Sequence, residues 1–159
     1  MFDTRKQIVY LYSSFDEFIS ETAKIKPELE KSKLKVNFIG YADMLTKLYN
    51  VDEKEDKEMF AIARELLLWT DAFKDYRHMF INWQSGIENK ILYLEGFLTE
   101  RENVQLNQKI AENDRILQMS KDYLNILDKH TKSLSMILKN VMCRIKELGN
   151  EKTRTSITA

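Results

Sequence analysis

At 159 residues, 43% of them hydrophobic, the chain is long enough to bury the core of one domain. One proline and four glycines are too few for the turns of a short-stranded β fold or for the strand–helix joints of an α/β fold, so a few long helices are predicted. Lysine plus arginine and aspartate plus glutamate each total 25, which leaves no overall basic excess of the kind that binds nucleic acid or acidic lipid.

Asp3 or Thr4 can cap a first helix over 4–25, whose apolar stripe is Ile8, Leu11, Phe15, Phe18 and Ile25, with Thr22 filling the gap. Pro27 disfavours helical geometry at Lys26 and suits a first helical position, so helix two is predicted over 27–49. Its stripe is Leu34, Phe38, Tyr41, Leu45 and Leu48, and Asn50 is a plausible stop. The stretch "DEKE" at 52–55 has capping-box spacing and opens helix three, predicted over 53–95.

Helix three carries the clearest periodicity. Met59, Ile62, Leu66, Trp69, Phe73, Tyr76, Phe80, Trp83 and Ile87 repeat by threes and fours; Lys90 interrupts, and Leu94 and Phe97 resume. Helix four, over 100–148, repeats the pattern with Leu106, Ile110, Leu117, Leu124, Leu127, Leu134, Leu138, Val141, Ile145 and Leu148. Asn113, Ser120 and Thr131 occupy its polar seam places. The two seams differ in phase, so a break lies between them, either at Gly86 or just after Gly96, where Thr99 and Glu102 form a second capping box. The second position is preferred because the seam runs through Gly86 unbroken. The polar tail, 149–159, is expected to be disordered.

The fold expected is all-α: one domain over 1–148, an elongated bundle of about four helices dominated by a long antiparallel coiled-coil-like hairpin of helices three and four. Bulky Trp69 and Trp83 in the seam fit a thick bundle core better than a tight two-stranded coil. Phe60, Leu67 and Ile81 form a second apolar edge on helix three, which must then be covered from two sides.

The residue types that support catalysis are sparse. Asp75 and His78 are one helical turn apart but fall opposite the seam, where such a pair is a weak surface interaction. A carboxylate-bridged metal bundle needs an acid three residues before a histidine on each of two helices, and the residue three before His130 is Leu127. His130 lies at the margin of the apolar stripe and reads as a satisfied boundary residue. The lone Cys143 can form no intramolecular disulfide, and no phosphate loop, nucleophile elbow or zinc motif appears. An enzyme, a cofactor, a metal site and a small-molecule substrate are therefore not expected.

No stretch resembles a secretory leader or a membrane span, so a cytoplasmic location is expected. In 52–102 twelve acids outnumber seven bases, whereas from Arg115 onward nine bases outnumber four acids, so the two long helices can complement each other in charge.

These features favour a structural or assembly module that works by helix-to-helix contact in a larger complex, of the secretion, conjugation, phage or cytoskeletal kind. A protein partner or a second copy, giving a homo-oligomer, is expected to cover the long seam. The alternative is a regulatory adaptor or chaperone that takes a partner helix in a groove. A weaker one is a nucleic-acid accessory protein using the basic end of helix four, although basic residues without interleaved aromatics argue against it. The candidate assembly residues are Asn113, Ser120, Thr131, Trp69 and Trp83, with Lys139, Arg144 and Lys146 at the basic end.

Overall fold

The computed structural model describes residues 4–50, 56–98 and 103–158. Five helices account for nearly all of them: α1 (Thr4–Ser13), α2 (Phe15–Lys31), α3 (Tyr41–Tyr49), α4 (Asp56–Leu98) and α5 (Val104–Thr158). No strand occurs among the described residues, and no helix there is long and apolar enough to cross a membrane.

The helix count exceeds the expected four because two boundaries fall elsewhere. The first predicted helix breaks at Ser14, where the Ser13 and Ser14 hydroxyls both donate to the Tyr10 carbonyl and compete with the backbone ladder. Pro27, expected to begin a helix, lies inside α2. The buried stripe Phe18, Thr22, Ile25 and Leu29 keeps phase across it. Burying Ile25 and Leu29, at roughly 1.5–3 kcal/mol each, offsets the roughly 3 kcal/mol that an interior proline costs.

The remainder of predicted helix two is divided by a loop. α2 ends in a Schellman motif: the Leu34 N–H donates to the Leu29 carbonyl and the Lys33 N–H to the Glu30 carbonyl, with Lys33 left-handed at φ 59°. Gly40, at φ 89°, then turns the chain into α3. α4 passes through Gly86 and Gly96 without interruption and ends at Leu98, so the break falls after Gly96. The capping boxes at 52–55 and 99–102 lie outside the described residues. At the other end α5 continues to Thr158, where a disordered tail was expected: a missing apolar stripe removes packing, but no proline after Gly149 stops the helical backbone.

The chain divides into two compact units, each assembled from separated segments. The first comprises Met1–Glu17, Asn37–Phe73 and Lys129–Ala159; the second comprises Phe18–Val36 and Lys74–Asp128. The core of the first holds Ile8, Leu11, Tyr41, Met44, Leu48, Met59, Leu66, Phe73, His130, Leu134, Ile137 and Val141. The core of the second holds Phe18, Ile25, Leu29, Phe80, Ile87, Ile91, Leu94, Tyr123 and Leu127.

The buried line of each long helix is rotated from the predicted seam by part of a turn. On α4 it runs through Leu66, Thr70, Phe73, Phe80, Ile87, Ile91 and Leu94, and Trp69, Tyr76 and Trp83 are half-buried on its flank. On α5 it runs through Ser120, Tyr123, Leu127, His130, Leu134, Ile137 and Val141, leaving Leu124, Thr131 and Leu138 half-buried.

Candidate functional site

The first unit is organised around Tyr41. Its ring meets those of Phe15, Phe38, Trp69, Phe73 and His130 at centroid distances of 5.2–6.4 Å. Burial pushes its phenol well above the usual range. Trp69, proposed from sequence as an interaction residue, is thus engaged inside this unit. Its Cζ2 lies 3.9 Å from where a Cβ at residue 40 would sit, an ordinary contact, so it is the φ of 89° and not space that calls for glycine there.

His130 is fully buried, and its two ring nitrogens are bonded in a definite order. Ser14 Oγ donates to the Tyr10 carbonyl at 2.6 Å, so it must accept from His130 Nε2–H at 3.2 Å. Nδ1 is then bare and accepts from the Tyr41 hydroxyl at 3.2 Å. This Nε2–H tautomer is neutral, and burial lowers the imidazole to a pKa of about 4. The network joins three elements by satisfied hydrogen bonds.

The outer side of α4 in this unit is different in kind. Phe60, Leu67 and Leu68 are 56%, 51% and 69% exposed, with exposed Arg64 and Asp71 on the same face. Large apolar side chains at i, i+7 and i+8 on one face form a patch rather than scattered exposure. Thr131 is half-buried; Lys139 and Lys146 are exposed, and Arg144 is half-buried. Cys143 is exposed.

The second unit carries Trp83, Asn113 and Ser120. A groove of about 440 Å³ is walled by Glu28 and Ser32, by Trp83, Ile87 and Lys90, and by Asn113 and Ile116. Trp83 Nε1–H donates to Ser32 Oγ at 3.1 Å, which fixes the indole as one wall. Glu28 faces Arg115 at 3.5 Å and Lys31 at 3.7 Å. Asn113 donates from Nδ2 to the Lys109 carbonyl of its own helix at 2.8 Å, so this bond is made within α5. The structure thus brings Trp83 and Asn113 to one groove.

Deeper in this unit, Phe80 packs on Tyr123 at 5.0 Å, and Tyr123 donates to Thr22 Oγ1, whose own proton goes to the Phe18 carbonyl. Burial raises the Tyr123 phenol, with the Thr22 hydrogen bond opposing. Gln84 Nε2 and Ser120 Oγ, also in this unit, are both buried without a hydrogen-bond partner. An unpaired buried hydroxyl is destabilising, so Ser120→Ala is expected to leave stability unchanged or raise it by up to about 1 kcal/mol in urea unfolding. A loss above about 1 kcal/mol would show that Ser120 has a partner in solution.

The sequence placed Tyr41 on an apolar stripe without showing it as a hub, and it placed His130 at a boundary where the structure buries it, because a polar atom on a ring counts against burial unless its partners are known. His78 and Asp75 are exposed. Among the described residues no group of three or more His, Cys, Asp or Glu side chains is placed to hold a metal ion. Comparison with protein-family models, curated proteins and solved structures finds no match to the chain.

Proposed function

We propose that the chain is a non-enzymatic structural or assembly module that acts by helix-to-helix contacts within a larger complex, with α4 as its contact helix. The observation that carries this reading is the run of Phe60, Leu67 and Leu68, which α4 leaves exposed among the described residues. Monomeric proteins seldom leave such a patch in water, because covering it removes apolar surface at about 25 cal/mol per Å².

The long hairpin expected from sequence belongs to the same proposal. In the second unit, Arg77 pairs with Asp128, Phe80 with Tyr123 and Glu88 with Lys121, so numbers rise along α4 as they fall along α5. That order supports antiparallel packing there. A cytoplasmic location suits an exposed thiol such as Cys143.

A second reading, an adaptor that seats a partner helix, is favoured by the groove beside Trp83 and Ile116. One comparison separates the two. The Leu67→Asp/Leu68→Asp variant should keep its circular dichroism and thermal midpoint yet leave the high-mass fraction of a native extract, whereas Ile116→Glu should have no such effect. Loss with Ile116→Glu alone favours the adaptor. A wild-type chain that migrates only at its own mass of 18.9 kDa refutes both.

A further inference from the structure

The charges that flank the exposed leucines are arranged for self-pairing. Arg64 lies three residues before Leu67 and Asp71 three after Leu68, all four are exposed, and Arg64 and Asp71 enter no ion pair among the described residues. We propose that this face seats a second copy of the chain, with the two α4 helices antiparallel about a two-fold axis between Leu67 and Leu68. The inference rests on the assembly reading and names its partner.

The register follows from symmetry. In an isologous contact, residues equidistant from the axis oppose each other. An axis between 67 and 68 places Leu67 on the partner's Leu68 and Arg64 on the partner's Asp71, and each pair forms twice. A parallel, in-register arrangement would instead oppose Arg64 to itself and Asp71 to itself. Moving the axis onto residue 64 brings the two arginines together, and moving it onto residue 71 brings the two aspartates together. Like charges placed face to face are rejected, so the charges select one orientation and one register. About that axis a contact that includes Phe60 runs over residues 60–75, only about 24 Å of helix. A patch of that length makes an interface below standard size, so the pairing is a concentration-dependent equilibrium.

Sedimentation equilibrium of the full chain tests the proposal. A monomer–dimer equilibrium is expected, and Arg64→Asp or Asp71→Arg alone should weaken it by about tenfold or more, because each replaces two ion pairs with two repulsions. Mixing the two variants should restore a dimer: one then carries acids at both positions and the other carries bases. Leu68→Asp should abolish the dimer. All substitutions are on exposed positions, so circular dichroism should be unchanged. A monomer at every concentration, a higher oligomer, or a dimer indifferent to both charge reversals overturns the proposal. If the wild type is monomeric but Leu67→Asp/Leu68→Asp still leaves the native complex, self-pairing fails while the assembly reading stands.

Discussion

Phe80→Ala is expected to cost about 3–5 kcal/mol in urea unfolding, the range for emptying a fully packed phenylalanine site. Phe80 is wholly buried and meets Tyr123 at 5.0 Å and Trp83 at 5.9 Å. Its removal leaves a hole that two aromatic rings, each held by a hydrogen bond to α2 or the turn after it, cannot readily fill. Phe97→Ala, on the same helix but 46% exposed, should change stability by less than about 0.5 kcal/mol. Equal losses for the two variants would contradict the burial pattern.

Acidification should weaken the fold through His130. The imidazole is neutral when folded, with a pKa of about 4, and takes up a proton near 6.5 when unfolded. Because the folded value is depressed, the unfolded state binds more protons between those values, so stability is fully present above about pH 6.5 and is lost as pH falls toward 4. The loss should reach about 2 kcal/mol by pH 5 and about 3 kcal/mol near pH 4. The structural cause is burial of the ring, which penalises the charged imidazolium. Urea midpoints at pH 7.5 and pH 5 measure the effect, and His130→Gln should remove most of it. A pH dependence that survives His130→Gln unchanged would place its origin elsewhere.

Helix content and much of the core were legible in the residues. Ile8, Leu11, Phe18, Thr22 and Ile25 are buried at the expected spacing, as are Phe73 and Phe80, because three-and-four periodicity depends only on helix geometry. What misled was the choice of the line's centre. Counting apolar character alone favours Leu124 and Leu138 over Tyr123 and His130, yet the latter pair is buried once Thr22, Ser14 and Tyr41 supply hydrogen-bond partners from elsewhere in the chain. Those partners are 89–116 residues distant in sequence, beyond the reach of any local pattern. Trp69 and Trp83 were drawn into the seam for the same reason, whereas a long ring can reach the core from its flank.

Of the candidate assembly positions, Asn113 and Trp83 share a groove, Ser120 is buried and unpartnered, and Thr131 lies off the buried line. Phe60, Leu67 and Ile81 were expected to form a second apolar edge covered from another side; instead Phe60 and Leu67 are exposed and Ile81 is half-buried. The neighbouring Leu68 was not expected there, since it falls outside the heptad count that located the others. Its exposure became evident only when the buried line of α4 was known to pass through Leu66 and Thr70.

Covering of that face by protein can be read directly from a photoreactive phenylalanine placed at position 68 of the full chain and irradiated in the native cell. A covalent protein adduct is expected from position 68 and none from the same probe at position 132, an exposed site on α5. Absence of an adduct at 68, or an equal yield at 132, would contradict such covering.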